Sequence, residues 1–507
     1  MSESRGMPPQ LSDIVASVVV FLVALPLCLG IAIASGVPPA LGIVSGIIGG
    51  LVVGSLAGSP LQVSGPAAGL VVLVWELVQS FGLVTLGVVV LCAGLIQVAG
   101  GLLGIGRWFR AVSPAVVNGM LAGIGVLIFA SQFHVMVDDS PRANGILNLL
   151  SIPEAVYKGV FPVDGSSHHI AAVVGIITIV TLLLWNRYKP ERLKLIPGAL
   201  LGVLVATGLA TLMQLPIRYV QLPEKLWEAI DITPVAAFSA LANPSVLVAI
   251  VGMAFVASAE SLLCAVAVDR LHTGPRTNFD RELFAQGVGN TLCGALGALP
   301  LTGVIVRSSA NLQAGATSRL SAILHGLWLL LLVATVPFIL ERIPISALAA
   351  ILVHTGYKLV NIENARQVKR YGWLPFLIYL VTLLTIVSVD LLTGIMVGLV
   401  LSIAKLVFKV TRLWIRVETS DGNRVDVYIE GAATFLKLPT LASALERIPA
   451  GSDVHLHVQR LLYIDHSCMD LLRSWEKQQA EAGTRLIVEW SELNRRYHAP
   501  MSLTRVA

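Results

Sequence analysis

The sequence predicts an all-α polytopic membrane domain followed by a small α/β domain. Three observations lead there. Of 507 residues, 55% are hydrophobic and only 13% are charged, against about a quarter charged in soluble domains. Apolar runs of membrane-crossing length, separated by short polar connectors, continue from Ile14 to Val410. After Arg412 the composition becomes that of a soluble protein, with Arg416, Glu418, Asp421, Arg424 and Asp426 in quick succession. The division expected is 1–411 for the membrane domain and 412–507 for the soluble one.

A bilayer core needs about 20 apolar residues per helix. On that rule spans fall at 14–35, 39–57, 83–104, 112–133, 168–186, 195–215, 243–268, 282–299, 318–340, 345–360, 372–388 and 390–411. Two further apolar segments, 60–80 and 300–316, are interrupted, and counting each as one crossing gives fourteen. With the N-terminus inside, connectors after even-numbered spans carry Arg107, Arg110, Arg187, Lys189, Arg192, Lys194, Arg270, Arg276, Arg281, Arg319, Lys358, Arg366, Lys369 and Arg370. The outer connectors 134–167 and 216–242 are acidic or mixed, with Asp138, Asp139, Glu154, Asp164, Glu224, Glu228 and Asp231. This positive-inside bias fits fourteen spans better than thirteen and places both termini in the cytoplasm. The first apolar run is too long for a signal peptide and continues past Val37-Pro38-Pro39 into a second span.

Several function classes are excluded. The net charge of +5 is scattered over connectors, so no basic, aromatic-interleaved patch marks a nucleic-acid partner. Cys28, Cys92, Cys264, Cys293 and Cys468 are far apart and read as small core residues. His168-His169 and His455-x-His457 offer two ligands apiece, too few for a metal site, and Gly104-x-Gly106 lacks the context of a dinucleotide fingerprint. No nucleophile–base set points to an enzyme, and no cofactor is implied. Glu76, Asp390 and Lys405 lie near span ends and read as interfacial.

The interrupted segments carry the chemistry. One reads Leu61-Gln-Val-Ser64-Gly65-Pro66-Ala67-Ala68-Gly69, the other Pro300-Leu-Thr-Gly303-Val304-Ile305-Val306-Arg307-Ser308. Each is an extended stretch followed by a helix, and each is third in a set of seven, which predicts an inverted repeat with a site at mid-membrane. Each half-helix presents an N-terminus worth about half a positive charge together with free N–H groups. Two such ends make an anion site. Pro66 suits a first helical turn, and Ser64 and Ser308 are placed to cap or to touch substrate. Arg307 either adds positive field or pairs with a carboxylate or an interface. Glu260, well inside the eighth span, costs about 2.5–3.5 kcal/mol if ionised at mid-membrane. A bound Na⁺, a proton or an arginine must compensate. An acid beside an anion cavity suits cation-coupled transport.

These residues resemble the SulP family of anion transporters, which contains sulfate permeases and bicarbonate transporters. The resemblance covers nearly the whole chain. It rests on Leu25-Pro26, Val37-Pro38-Pro39-Ala-Leu-Gly42, Ser64–Ala68, Ala259-Glu260-Ser261-Leu262-Leu263 and the run from Gln286-Gly287-x-Gly289-Asn290 through Thr302-Gly303, Arg307-Ser308 and Asn311 to Gly315. It implies a seven-plus-seven inverted repeat, with a core containing spans one, three, eight and ten moving against a gate. It also implies a homodimer and a location in the bacterial inner membrane among its lipids. By position, Ser64, Gly65, Pro66, Ala67, Ala68, Gly303, Val304 and Ile305 fall at the family's anion site, with Arg307 beside them, and Glu260 falls at its coupling acid. Hydroxyl residues that help bind Na⁺ in bicarbonate transporters are replaced here by Cys264 and Ile305, leaving Na⁺ and H⁺ both open. Substrates implied are bicarbonate, put first, then sulfate and small carboxylates. The alternatives are an uncoupled channel or exchanger, or a membrane-bound regulator.

From Arg416 onward, Val425–Ile429 and Val454–Val458 alternate at period two, Leu486–Glu489 is a third short strand, and 440–447 and 467–480 read as amphipathic helices. This resembles a STAS domain, open to a cytoplasmic partner. Ser467 reads as a helix N-cap, with phosphorylation as the alternative.

Overall fold

The computed structural model describes residues 9–111, 113–142, 144–161, 167–190, 193, 196–221, 228, 230–335, 337–419, 423–480 and 483–498. The charged positions Asp164, Arg192, Lys194, Glu224 and Asp421 lie outside them. The chain forms two compact units, one up to Leu399 and one from Val400, the border falling within a helix.

The first unit is almost entirely helical. Helix occupies every apolar segment set out above: Pro9–Ala34, Pro39–Ile48, Val71–Leu102, Pro114–Met136, His168–Tyr188, Gly198–Leu212, Pro244–Leu271, Phe279–Ala295, Ile305–Gln313, Leu320–Thr335, Ile345–Leu359, Trp373–Ser388 and Leu391–Val410. Eight helices among the described residues are long and apolar enough to cross a membrane. Gly82, at φ 81° and ψ 167°, breaks Val71–Leu102 into two helices. Its left-handed φ costs a glycine little, and the break separates the third apolar segment from the fourth.

Proline starts several helices where no N–H is needed: Pro39, Pro114 and Pro244. The second helix closes through a π-helical turn, Gly49–Val53, of the kind that recurs at functional sites. Short helices at Gly145–Leu150, Ile152–Val160 and Ile362–Arg370 lie in connectors and are too short for a hydropathy reading to find. In the connector after Met136, Lys158 and Arg142 bind Asp139 and Glu154. Against the opposing effect of burial, bonds from the Ser140 backbone and His134, and then these two cations, hold the Asp139 carboxyl below its ordinary value.

Helix Phe279–Ala295 packs along the 83–102 helix through a glycine seam. A Cβ on Gly94 would lie 2.4 Å from Thr291 N, and one on Gly287 would lie 2.5 Å from Val98 N. Small residues allow this backbone approach between membrane helices. The seam fixes the face of the 279–295 helix that carries Glu282, Gln286 and Asn290, four residues apart and so aligned one above another. That face holds the interrupted segments in place.

The second unit contains a five-stranded sheet. Strands β3 (Leu413–Thr419), β4 (Arg424–Ala433), β5 (Asp453–His457) and β7 (Arg485–Ile487) run in the order β3-β4-β5-β7, and β6 (Leu461–Ile464) also pairs β4. Only β3–β4 is antiparallel. Val425, Val427 and Ile429 pack with Leu441, Leu445, Met469 and Leu472 of the helices Leu438–Glu446 and His466–Ala480. This small α/β unit fits a STAS domain. Ser467 is not the N-cap: Asp465 Oδ1 accepts from Cys468 N at 2.9 Å, and Asp465 precedes the helix by one residue. Ser467 Oγ instead lies 3.3 Å from His466 Nε2. On β4, Arg424 and His457 bond Asp426 and hold its carboxyl well below the usual range. Its contribution to stability is therefore full above the unfolded value of about 3.9 and is lost as pH falls through the lower folded value. Asp426→Asn is expected to remove this acid-side loss, read as hydrogen exchange of β4 amides while pH is lowered.

Candidate anion site

The two interrupted segments meet. Strand β1 (Ser64–Pro66) pairs antiparallel with β2 (Leu301–Gly303), in the register Ser64↔Gly303, Gly65↔Thr302 and Pro66↔Leu301. Beyond β1 a helical turn begins at Ala68 and runs into the helix from Val71; beyond β2 the helix Ile305–Gln313 begins. Pro66 thus sits in the strand and not in the first helical turn. A two-stranded ribbon has an open edge on each strand, where a missing N–H is tolerated.

Non-helical backbone inside a membrane protein must find partners within the protein. Asn290 supplies two: its Nδ2 donates to Leu301 O at 3.0 Å, and its Oδ1 accepts from Leu301 N at 2.8 Å. Asn311 Nδ2 donates to Leu61 O at 3.1 Å, and Val304 N to Val63 O at 2.9 Å. Ser308 accepts from Val63 N and donates to Val304 O, so it locks the segments together and its one proton is already spent. Asn290→Ala strands both backbone groups of Leu301. At about 1–3 kcal/mol per unsatisfied buried group, it is expected to lower the melting temperature of the purified chain markedly, and Asn290→Asp, which sets a carboxylate oxygen against Leu301 O and Gln97 Oε1, is expected to lower it at least as much.

The half-helix starts carry no side-chain cap, since their N-cap residues are Ala67 and Val304. Their first N–H groups are left for other partners. One is taken by Glu260, whose carboxylate accepts from Gly69 N–H. The approach is close: a Cβ on Gly69 would lie 2.6 Å from Glu260 Oε2. Oε2 itself has no partner. Cys264, one helical turn on, places Sγ 3.9 Å from Ser308 Oγ, and Ile305 packs with Leu61, Cys264 and Val268.

Arg307 is fully buried, at 0% exposure. Its Nη2 donates to Cys28 Sγ at 3.4 Å, while Nε and Nη1 have no partner. Among the described residues it neither pairs with a carboxylate nor reaches an interface. The guanidinium lies against β1, because a Cβ on Gly65 would fall 2.0 Å from Nη1. A Cβ on Gly303 would fall 1.9 Å from Gln62 Nε2. At both glycines of the ribbon an added side chain would have to displace a buried neighbouring side chain. Ser64, 4% exposed, accepts from Gln286 Nε2 at 2.7 Å.

The structure brings Ser64, Gly65, Pro66, Gly303 and Arg307 together at one ribbon, with Ala67, Ala68 and Glu260 at the first half-helix and Val304, Ile305 and Cys264 at the second. Sequence reasoning missed Glu282 and Gln62, buried polar residues bonded to each other beneath the ribbon. The four-residue spacing of Glu282, Gln286 and Asn290, which aligns three polar side chains on one helix face, was the available signal. Elsewhere Glu76 and Asp390 come together, lining a cleft of about 50 Å³ with Trp75, Arg142 and Asn148. His168 Nδ1 bonds Val137 O at 2.8 Å, and no group of three or more metal-binding side chains occurs among the described residues.

Residues 11–382 match the family model described as the sulfate permease family. The putative sulfate transporter YvdB of Bacillus subtilis is 28% identical over 396 residues, 77% of this chain and 72% of that protein. The bicarbonate transporter BicA of Picosynechococcus sp. is 24% identical over 410 residues, 76% of this chain and 68% of that protein. Among solved structures, the transmembrane domain of a cyanobacterium BicA matches with a TM-score of 0.64 at 22% identity, over 79% of this chain and 98% of that one. The murine Slc26a9 anion transporter in its inward-facing state matches with a TM-score of 0.76 at 15% identity, over 97% of this chain and 88% of that one. At those identities the structures speak to the fold alone. The family model covers well over half of the chain, and with it the ribbon, both half-helix starts and the buried arginine: this integral membrane protein belongs to the sulfate permease family of anion transporters.

Proposed function

We propose that the chain is a secondary active transporter that carries a small anion together with H⁺ or Na⁺. The anion binds at the β1–β2 ribbon, in contact with Ser64, Gly65, Pro66, Ala67, Ala68, Gly303, Val304, Ile305 and Arg307. The single observation that carries this reading is Arg307, a fully buried cation with two unpartnered N–H-bearing nitrogens and no carboxylate paired to it among the described residues. A buried charge is costly unless it is paired, and a transported anion supplies the pair. Bicarbonate is put first, with sulfate and dicarboxylates next; relatives are named for both of the first two.

Glu260 is the coupling acid. It lies at the positive end of a half-helix with one oxygen unpartnered, and binding a cation there neutralises it as the anion neutralises Arg307. Cys264 and Ile305 supply no hydroxyl oxygen for Na⁺, a hard cation that prefers oxygen ligands, which favours H⁺. Fourteen spans form a seven-plus-seven inverted repeat. A core with spans one, three, eight and ten moves against a gate, exposing the ribbon to each side in turn. The membrane domain ends near residue 411, the STAS domain follows, both termini are cytoplasmic, and the protein is a homodimer in the plasma membrane. Ser467, partly exposed at a helix start, is the candidate phosphosite, where an added phosphate would meet the helix N-terminus. Arg307→Gln is expected to weaken binding of sulfate and bicarbonate to the purified protein by at least tenfold, about 1.4 kcal/mol. Unchanged affinity for every anion tried would remove the site from the ribbon.

A further inference from the structure

The geometry points to Glu282 as a positioning residue that fixes Ser64 as a hydrogen-bond donor toward the anion. Glu282 is fully buried, at 0% exposure. Its Oε1 accepts from Gln62 Nε2 at 2.9 Å and Gln286 Nε2 at 2.8 Å, and its Oε2 accepts from Ser59 N at 2.9 Å. The Gly58 backbone N–H also bonds the carboxylate. Every partner is an amide N–H, and no cation is bonded to the carboxylate among the described residues.

A side-chain amide can present either its nitrogen or its oxygen, and its partners decide which. A carboxylate accepts only, so Glu282 turns the NH₂ groups of both glutamines toward itself. Gln62 Oε1 and Gln286 Oε1 then point away and are left buried without partners. That orientation is unfavourable for the amides alone, and the shared carboxylate offsets it. The second N–H of Gln286 donates to Ser64 Oγ. Ser64 oxygen is thereby engaged as an acceptor, and its O–H is left to donate. No acceptor for that O–H is found among the described residues.

Ser64 pairs with Gly303 at the crossing of the ribbon; its side chain faces Gln286, whereas the next residue, Gly65, faces Arg307, so the Ser64 donor and the guanidinium lie on opposite faces of β1. Glu282 thus reaches the site through Gln286 and never touches the ligand itself. A ligand oxygen that reaches Ser64 meets a donor, which favours an anion with unprotonated oxygens. This inference rests on the placement of the anion at the ribbon.

The test is a double-mutant comparison of KM and maximal rate for labelled sulfate and bicarbonate, using the full chain in proteoliposomes. Ser64→Ala is expected to raise KM about tenfold with maximal rate largely kept, tenfold being about 1.4 kcal/mol. Glu282→Gln is expected to raise KM similarly, because Gln286 can then turn over. In the Ser64→Ala background, Glu282→Gln is expected to add little. Gln286→Met, which leaves Glu282 bonded to Ser59 and Gln62, provides the same reading if Glu282→Gln proves too unstable to purify. If Ser64→Ala leaves KM unchanged, both the placement of the anion and this proposal fall. If Ser64→Ala raises KM but the second substitution multiplies the effect, the anion site stands and the positioning role falls.

Discussion

Glu260→Gln is expected to abolish concentrative anion uptake while leaving the chain folded and able to bind its anion. The substitution keeps size and one carbonyl oxygen but removes the negative charge that faces the Gly69 N–H at the start of the first half-helix. An ionised carboxylate at membrane depth carries about 2.5–3.5 kcal/mol of insertion cost. A bound cation relieves that cost in the carboxylate but has none to relieve in the amide. The linkage between cation and anion is therefore lost, and the accumulation ratio is expected to fall to its equilibrium value. Normal gradient-driven accumulation by Glu260→Gln would remove the coupling role and leave the acid as a structural link between helices.

The second large effect is expected at Gly303. Even a Cβ there lies 1.9 Å from Gln62 Nε2, and Gln62 cannot swing aside freely because it is bonded to Glu282. Gly303→Leu drives a branched side chain into the ribbon beside Ser64. Overpacking of a buried site costs about 1–3 kcal/mol, and here the strain falls on the groups that would hold the anion. Anion affinity is expected to drop ten- to hundredfold, in line with 1.4 kcal/mol per factor of ten, with uptake falling accordingly. A Gly303→Leu protein that binds and transports its anion with unchanged affinity would place the substrate elsewhere.

Much of this was legible in the sequence because membrane helices announce themselves by composition. Hydropathy located each long apolar helix, and the Gly65-Pro66 and Thr302-Gly303 interruptions marked the two places where helix stops and restarts. What hydropathy does not carry is which distant segments touch. The pairing of Ser64 with Gly303 depends on the helices that bring residues so far apart in the chain together, and only with that pairing does Pro66 belong to a strand. Ser308 resembled a ligand residue because its hydroxyl lies one turn into a half-helix; its two bonds to Val63 and Val304 are spent on backbone. Glu282 was hidden by its place: as the first residue of the 282–299 span, next to Asp280 and Arg281, its charge stands where a span end ordinarily carries one. In the second unit, Asp465 and Ser467 both stand at a helix start and both are capping types, so the choice fell to backbone geometry. Strands β3 and β6 escaped notice because β3 is exposed over most of its length and β6 is only four residues long.

The most direct test of coupled anion transport is uptake of labelled bicarbonate, sulfate and succinate into proteoliposomes, each with an inward H⁺ gradient, an inward Na⁺ gradient, or neither. Accumulation above equilibrium with one of the two gradients, lost in Glu260→Gln, is the expected result; it would identify the cation and rank the anions. Flux that only equilibrates under every gradient would contradict coupling and make the protein a channel or exchanger built on the same ribbon.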